Sequence, residues 1–336
     1  MRYGTIGTSW ITDAFIAGAE IAGGMELTAV FSRNRETGRD FAERHGNPRV
    51  FTDLYQMAGS GCIDAVYIAS PNALHFEQSK LFLKHGKHVI CEKPITVTPD
   101  QYREAAAIAE ANRLIYMEAI MMRHLPARAA LLEALTEIGR ITTARFDFSQ
   151  LSSKYSAYQG GNLPNIFRRS LAAGCLMDLG IYCVYPALDL FGKPDRILAS
   201  AGFLSGTPAH RRQDIADLAD GWGYSLFLYP DKQVVLSYSK VGQSHTGSEI
   251  LGDRGTVVIE SISRLAGIRL ICADGSVRTL SDNPPKAVLM SGEAAAFRRY
   301  VEHGCSDPDY RQAAALTMAV CETMDTIRHQ AGINHL

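Results

Sequence analysis

Strand-like and helix-like segments alternate along the first 120 residues, and this order leaves few folds open to the chain. Residues 64–70 (DAVYIAS) form a nearly continuous apolar run, which is typical of a strand covered on both faces. Helix-like segments with short connections separate such strands, and one of them, residues 36–45, is stopped by Gly46. Strands joined through helices run parallel, so residues 1–120 are predicted to form an α/β domain with a doubly wound parallel sheet.

The pattern changes after Glu118. Longer β patterns, several joined by hairpin-like turns such as residues 252–255, dominate the rest of the chain. Residues 121–336 are therefore predicted to form an α+β domain with a large open, mostly antiparallel sheet. The second face of such a sheet needs cover, which predicts a homodimer or homotetramer assembled through the sheet. Trp222, which lies between glycines in one of these strands, is expected in the core.

Composition excludes several classes of partner. The chain has 336 residues, 34 basic and 35 acidic side chains and a net charge of −1, so neither nucleic acid nor an anionic membrane is expected as a partner. No apolar run reaches the roughly 18 residues of a membrane helix, and the N-terminus lacks an export signal, which predicts a cytoplasmic protein. The seven cysteines and ten histidines show no metal-ligand spacing, so no metal site is predicted.

A glycine-containing turn follows the first predicted strand. A dinucleotide-binding Rossmann domain has Gly-x-Gly-x-x-Gly here, which lets backbone amides approach the pyrophosphate at a helix N-terminus. This chain has Gly7, but Ser9 and Thr12 occupy the second and third glycine positions. An ordinary strand-to-helix turn is an open alternative, although the position after the first strand favours a phosphate site. The predicted phosphate-binding residues are Gly7, Thr8, Ser9, Trp10 and Ile11.

The end of the second strand bears on the choice of cofactor. An NAD site places a carboxylate there to hold the ribose hydroxyls, but Glu26 lies at the beginning of this strand. Ser32 and Arg33 stand at the correct end, and a guanidinium with a neighbouring hydroxyl suits a 2′-phosphate. The alternative is that Arg33 and Arg35 are solvated loop charges. NADP is the preferred cofactor, with NAD as the second candidate.

A lysine stands at the end of a buried strand in the segment HVICEKP, residues 88–94. One interpretation of Lys93 is an ordinary solvated charge, because strand ends meet water. The other is an ammonium fixed beside a ligand, since the carboxyl ends of parallel strands form the ligand crevice in a doubly wound sheet. The second interpretation is favoured.

Six segments, in this order, resemble the glucose–fructose oxidoreductase/inositol dehydrogenase/MocA family: GTIGTSWI, VFSRN, IASPNALHFEQ, GKHVICEKP, YMEAIMMRHLP and LMDLGIYCV. The similarity covers essentially the whole chain, and Glu-Lys-Pro at residues 92–94 is its most specific mark. The tyrosine in LMDLGIY resembles the branch that contains dihydrodiol dehydrogenase. The chain departs from the family pattern at Ala172 and Ala173, where glycines are common.

The resemblance implies roles for further residues. It implies a cis peptide before Pro94 and places Arg123 on the passage towards the substrate. It also implies a cofactor-binding set, which adds to Ser32 and Arg33 the residues Ser70, Pro71, Asn72, His75, Glu92, Lys93 and Glu118. The catalytic residues implied by the resemblance are Lys93, Asp178 and Tyr182.

These catalytic residue types suit the oxidation of an alcohol. The reaction sends a hydride to the cofactor and a proton to a base, and the pKa of a tyrosine, ordinarily about 10, falls when a cation stabilises its phenolate. Tyr182 is accordingly the predicted acid/base, with Lys93 as the cation, and Asp178 is expected on the same helix face because it lies four residues earlier. A core tyrosine and a surface acid are the open alternatives for Tyr182 and Asp178.

Three functions remain open. The favoured one is an NADP-linked dehydrogenase or reductase acting on a hydroxyl or carbonyl carbon of a sugar, polyol or cyclic diol. The second is a non-catalytic regulator that binds NAD(P) to sense redox state, but such a sensor has no need of Lys93, Asp178 or Tyr182. The third, known in a branch of the family, is a glycosidase that uses tightly held NAD.

Overall fold

The computed structural model describes residues 1–334 and divides into two compact units. The first unit contains Met1–His124 and Pro284–Met318, and the second contains Leu125–Asn283 and the chain from Ala319 onwards. The first break between the units falls after His124, and the domain boundary near residue 120 stays a prediction. The structure differs in one respect, because residues 284–318, predicted to lie in the second domain, pack with the first unit.

The first unit is built on a six-stranded parallel sheet in the order β3-β2-β1-β4-β5-β6. Its strands are β1 (Arg2–Ile6), β2 (Glu26–Phe31), β3 (Arg49–Phe51), β4 (Ala65–Ile68), β5 (His88–Glu92) and β6 (Tyr116–Ala119). The helices between them are α1 (Trp10–Ala22), α2 (Arg35–Glu43), α3 (Leu54–Ala58), α4 (Asn72–Lys84) and α5 (Pro99–Ala111). This strand order is that of a dinucleotide-binding Rossmann domain, and the order reverses between β1 and β4. The predicted doubly wound sheet is confirmed.

Local sequence signals explain where these helices begin. Thr98 and Gln101 form a reciprocal capping box at the start of α5, and Pro99 occupies its first turn. Asp53 accepts a hydrogen bond from the Gln56 amide and caps α3, as the sequence predicted. Each cap satisfies amides that have no partner within the helix, so the helix starts are encoded locally.

Two later helices complete the first unit. They are α10 (Lys286–His303), numbered in chain order, and the beginning of α11 (Pro308–Gln330). Helix α10 packs closely on α1, since a Cβ atom on Gly18 would approach Met290 to 2.9 Å. Phe15 of α1 stacks on Tyr67 at 3.8 Å in the same core. Close packing of this kind joins a distant stretch of chain to the Rossmann sheet.

The second unit contains an eight-stranded sheet in the order β14-β13-β12-β11-β7-β10-β9-β8. Its strands are β7 (Ile141–Ser149), β8 (Arg196–Phe203), β9 (Asp220–Leu228), β10 (Gln233–Ser239), β11 (Ser248–Gly252), β12 (Gly255–Ser261), β13 (Ala266–Cys272) and β14 (Val277–Thr279). The helices are α6 (Pro126–Glu137), α7 (Tyr155–Gln159), α8 (Ile181–Phe191) and α9 (Arg212–Ile215). All neighbours are antiparallel except β7 and β10, so the predicted mostly antiparallel sheet is confirmed.

One face of this sheet carries exposed apolar side chains at β8 and β9. Trp222 is 41% exposed, so the expectation that it lies in the core is wrong. Its ring lies across Gly202 of the neighbouring strand, where a Cβ atom would meet the ring at 1.9 Å. The glycine opposite Trp222 makes room for the ring on the exposed face of the sheet, which explains why this large apolar side chain lies outside the core.

The stretch Arg169–Phe191 is long and apolar enough to cross a membrane by composition alone. In this fold 83% of the most apolar 18-residue segment within this stretch is buried inside the protein, as is common for core helices.

Candidate active site

The turn after β1 has the geometry of a phosphate-binding loop. Gly7 has φ +112°, and a Cβ atom there would lie 2.8 Å from the Ala69 carbonyl oxygen, so only glycine fits. Ser9 precedes α1 in an extended conformation, and its side chain makes no capping hydrogen bond. Thr12, at the third glycine position, is fully buried between helix and strand. The Thr12 amide donates to the Ser9 carbonyl oxygen, but no side chain caps the first turn of α1, and the positive end of the helix dipole favours an anion there.

A cleft of about 590 Å³ opens beside this turn at the carboxyl ends of β1, β2 and β4. Seven predicted cofactor-binding residues line it: Gly7, Thr8, Ser9, Ser32, Arg33, Ser70 and Pro71. Seven residues outside the predicted cofactor-binding set also line it: Ile6, Phe31, Asn34, Thr37, Ala69, Leu74 and Gln78. Trp10, Ile11 and Asn72 adjoin these segments in the chain without being part of the lining. Three separate loops therefore meet in one crevice, as the fold predicts.

The charges in this cleft distinguish between nicotinamide cofactors. Among the described residues that line it, Arg33 is the charged one, and none carries a carboxylate. Asn34 is used structurally, because its side chain accepts hydrogen bonds from the Glu36 and Thr37 amides and caps α2. Glu26 lies at the other end of β2. The cleft offers a guanidinium where an NAD site would have an acid.

His75 ties together the loops that follow β4 and β5. Its ring nitrogens lie 2.8 Å from the carbonyl oxygens of Ser70 and Pro94, and the side chain is buried. Burial lowers the pKa of His75, although both carbonyl acceptors favour the protonated ring. The Ser70 hydroxyl donates to Gln78 at 2.7 Å. These contacts indicate that His75 supports the cleft from behind, and direct cofactor binding by His75 stays a prediction.

Lys93 follows β5 among buried carboxyl groups. The peptide between Lys93 and Pro94 is cis, as the resemblance implied. Glu92 accepts a hydrogen bond from the Tyr67 hydroxyl at 2.6 Å; burial raises the pKa of Glu92, and the charge of Lys93 opposes this rise. Glu293 of α10 lies near Glu92; burial together with Glu92 raises its pKa to about 8, and the charge of Lys286 opposes this rise. The charge of Lys93 acts on both Glu92 and Glu118, whose pKa values burial raises and Lys93 lowers.

Glu118 at the end of β6 holds the loop that contains Lys93. One carboxylate oxygen accepts from the Ile95 amide at 3.0 Å, and the other accepts from the Thr317 hydroxyl at 3.3 Å. Burial raises the pKa of Glu118 to about 7. Arg123 pairs with Asp309 at 2.9 Å, again within the first unit. Sequence reasoning had no signal for Glu293, since a lone acid in an Ala-rich helix is typical of a solvent-facing position.

In the second unit, Asp178 and Tyr182 lie on one continuous helical stretch. Asp178 is in a π-helical turn, Leu176–Gly180, that leads directly into α8 and Tyr182. A π turn contains more residues than an α turn, so a four-residue step stays within about one turn, and a shared face of Asp178 and Tyr182 stays a prediction. The Tyr182 ring packs edge-on against Phe148, with ring centres 5.5 Å apart.

Ala172 precedes this stretch in a left-handed conformation, with φ 51°. The family resemblance implies a glycine at this position, and the conformation explains why. An alanine here costs on the order of 1 kcal/mol, which the surrounding structure tolerates.

Asp178 has a buried partner that sequence reasoning missed. The Lys240 ammonium lies 2.8 Å from an Asp178 carboxylate oxygen, and the lysine side chain is 2% exposed. Asp220 lies nearby in a fully buried position and accepts from the Leu176 amide at 2.7 Å. Burial raises the pKa of Asp220 to about 6, and the charge of Lys240 acts in the opposite direction. The sequence signal existed: Lys240 ends an apolar strand, as Lys93 does.

Comparison with known proteins gives consistent results for both units. Residues 1–120 match the family model described as "Oxidoreductase family, NAD-binding Rossmann fold", and residues 129–258 match the GFO/IDH/MocA C-terminal domain. The chain is 36% identical over 333 residues to the scyllo-inositol 2-dehydrogenase (NADP(+)) IolU of Bacillus subtilis (strain 168), covering 99% of this chain and 98% of that protein.

Two further similarities are more distant. The human trans-1,2-dihydrobenzene-1,2-diol dehydrogenase is 32% identical over 206 residues, which are 59% of this chain and 58% of that protein. KijD10, a 3-ketoreductase from Actinomadura kijaniata solved in complex with TDP-benzene and NADP, aligns with a TM-score of 0.80 and 23% identity over 98% of each chain. This last similarity concerns the fold alone.

Proposed function

The chain belongs to the GFO/IDH/MocA oxidoreductase family, and on this premise we propose that it transfers a hydride between NADP and a carbon bearing a hydroxyl or carbonyl group in a sugar, polyol or cyclic diol. Like its named relatives, the protein is an NAD(P)-dependent dehydrogenase. The observation that supports NADP in particular is the cleft after β1, β2 and β4, which offers Arg33 and no carboxylate among its described lining residues.

The residues present in the cleft fit this cofactor. Gly7 and the uncapped start of α1 suit a pyrophosphate, and Ser32 with Arg33 suits a 2′-phosphate. The bound cofactor would accept or supply the hydride. The full proposed cofactor-binding set combines seven residues that line the cleft with others outside its lining: Gly7, Thr8, Ser9, Trp10, Ile11, Ser32, Arg33, Ser70, Pro71, Asn72, His75, Glu92, Lys93 and Glu118. NAD remains the second candidate cofactor.

Arg33→Ala is expected to weaken NADP binding about tenfold to hundredfold and to leave NAD binding unchanged. The physical reason is the loss of charge-assisted hydrogen bonds to the 2′-phosphate, worth about 1.5–3 kcal/mol. Calorimetric titration of both cofactors measures the effect. Arg35→Ala is the matched control, since Arg35 is exposed and lies outside the cleft lining. Stronger binding of NAD than NADP, unaffected by Arg33→Ala, would contradict the assignment.

The proposed chemistry divides the work among three side chains. Tyr182 takes the proton of the substrate hydroxyl during oxidation and returns it during reduction. Lys93 orients the substrate and stabilises the phenolate of Tyr182 by its positive charge. Asp178 accepts a hydrogen bond from a substrate hydroxyl and fixes its direction. The proton and the hydride leave the same alcohol, so a carbonyl compound is the oxidised product.

A turnover screen tests the proposed function directly. The purified protein is given NADP or NAD with a panel of inositols, sugars and cyclic trans-diols, and nicotinamide absorbance is followed. Turnover with at least one ring alcohol is the expected result. Cofactor that survives purification, together with hydrolysis of glycosides and no net cofactor turnover, would instead identify the glycosidase alternative. No turnover in either direction would contradict a dehydrogenase. The cytoplasmic location predicted from the sequence stays a prediction.

The open face of the second unit's sheet is the proposed site of homodimer or homotetramer assembly. Leu198 is 44% exposed, and Tyr224 is 59% exposed on the adjacent strand, beside Trp222. Clustered apolar side chains on a monomer surface are typical of interfaces, and a two-fold axis would bring two copies of this patch together.

Trp222→Glu is expected to shift the protein from oligomer to monomer, because burying an unpaired carboxylate in each half of a symmetric interface costs several kcal/mol. Sedimentation velocity measures the change. Ile215→Glu is the control, since Ile215 is 44% exposed in the same unit but belongs to α9 and to none of the strands of the sheet. A wild-type protein that sediments as a monomer, or an oligomer unchanged by Trp222→Glu, would contradict this assembly.

A further inference from the structure

A second lysine, Lys240, follows a buried strand in the same manner as Lys93. It comes directly after β10, and its side chain is 2% exposed. Lysine is almost never buried this fully unless its charge is compensated. The position of Lys240 therefore needs an explanation beyond an ordinary strand end.

The Lys240 ammonium is fixed by several contacts within the second unit. It lies 2.8 Å from the Asp178 carboxylate, donates to the Ile166 carbonyl oxygen at 3.2 Å and stands 5.7 Å from the centre of the Phe167 ring. Its backbone amide donates to the Gly221 carbonyl oxygen at 2.8 Å, which anchors the residue beside β9. These contacts restrict the position of the Lys240 ammonium, so its charge lies at a fixed distance from the Asp178 carboxylate.

The π-helical turn that contains Asp178 is held in place by a buried carboxyl group. Asp220 accepts from the Leu176 amide at the start of the π-helical turn, and Gly174 makes room for it, since a Cβ atom on Gly174 would lie 2.0 Å from Asp220. Single π turns are rare and occur frequently at functional sites. The Asp178 side chain nevertheless remains 38% exposed, so a ligand can reach it.

We propose that Lys240 is a positioning residue for Asp178, whose carboxylate it holds in place as a hydrogen-bond acceptor for the substrate hydroxyl. The inference rests on the proposed function and assigns one further residue to it. In this role Asp178 accepts a hydrogen bond, and acid/base transfer is left to Tyr182.

The other titratable groups around Lys240 are consistent with this role. Asp220 from β9 and Cys175 before the π-helical turn both interact with the Lys240 charge, and burial raises the pKa of each. Cys183 of α8 and Tyr238 of β10 are buried with raised pKa values as well, so both are neutral near pH 7. Lys240, directly after β10, lies 2.8 Å from Asp178 and also acts on Asp220, so its removal takes one positive charge away from both carboxyl groups.

Lys240→Met is expected to lower kcat by up to about 100-fold, as a misaligned substrate contact can. The acid limb of the kcat/KM profile should move to higher pH, because a carboxylate that loses its cation has a higher pKa. Lys240→Arg, which keeps the charge, should recover much of the loss and keep the limb in place. Lys193→Met is the control, since it removes an exposed lysine from an ion pair with Glu322 in the same unit.

Two readouts separate this inference from the proposed function. Cofactor binding and thermal melting verify that each variant is folded. Carboxyl NMR of isotopically labelled aspartate follows Asp178, identified by its loss in Asp178→Asn, without any turnover. An Asp178 signal that titrates at higher pH in Lys240→Met supports the inference even if no substrate is found. Unchanged kinetics together with an unchanged Asp178 titration in Lys240→Met would overturn the inference. It would also be overturned if the losses of kcat caused by Lys240→Met and Asp178→Asn multiplied in the double variant, because two residues that act together should not have independent effects.

Discussion

Tyr182→Phe is expected to lower kcat by about 100-fold to 10,000-fold, the range associated with loss of a positioned acid or base. The substitution removes one hydroxyl and keeps the ring, so the edge-on contact with Phe148 is retained. Cofactor affinity should not change, because the proposed cofactor residues lie in the first unit. Steady-state kinetics with the best substrate of the turnover screen, combined with NADP titration, measure both effects.

A second tyrosine provides the control for this experiment. Tyr229 lies in the same unit, and its hydroxyl donates to the Gly192 carbonyl oxygen at 2.9 Å. Tyr229→Phe therefore removes a hydrogen-bonded phenol and should leave kcat unchanged. Full turnover in Tyr182→Phe would remove the proposed proton donor, and an equal loss in both variants would indicate a structural effect instead.

Much of the first unit could be predicted because its signals are local. Residues 64–70 form a nearly continuous apolar run, and the structure buries all of β4 on both faces of the sheet. Asp53 and Pro99 mark helix starts that the structure confirms. The positions of Ser32, Arg33, Ser70 and Pro71 in one cleft then follow from the parallel sheet, since all stand at strand carboxyl ends.

The packing of residues 284–318 with the first unit could not be predicted from such local signals. The apolar pattern of α10 indicates that one side of the helix is buried, but it does not indicate which part of the protein packs against that side. The closeness of Gly18 to Met290 depends on shape complementarity between segments far apart in the sequence. Glu293 illustrates the same limit, because its burial against Glu92 exists only after α10 has packed.

Some residues of the candidate site could be predicted from the sequence and others could not, for a related reason. Lys93 follows a buried strand and belongs to a family motif, which makes it recognisable in the sequence, whereas Lys240 follows a buried strand without such a motif. The π-helical turn at Asp178 has no simple sequence signature, and its form depends on Asp220 from another strand. Interactions between distant strands thus determine the part of the site that sequence patterns leave open.

Gly7→Ala is expected to lower the free energy of unfolding by about 2–4 kcal/mol and to weaken NADP binding on the order of 100-fold. The added Cβ atom meets two obstacles: a φ of +112°, which costs about 1–3 kcal/mol for a residue other than glycine, and the Ala69 carbonyl oxygen at 2.8 Å. Relief of this contact requires the turn to move, and the amides at the start of α1 move with it, which misplaces them by a distance of about 1 Å. Urea unfolding and cofactor titration measure the two effects.

Gly46→Ala separates conformational strain from the loss of the phosphate-binding turn. Gly46 also has a positive φ, +79°, but a Cβ atom there meets nothing within 4 Å. We expect Gly46→Ala to cost about 1 kcal/mol of stability and to leave NADP affinity intact. Equal losses of affinity in the two variants would mean that the effect at Gly7 is one of general stability. Wild-type affinity in a folded Gly7→Ala protein would show that the cofactor phosphates bind elsewhere, because the modified turn cannot keep its geometry around a methyl group pressed against the Ala69 carbonyl oxygen.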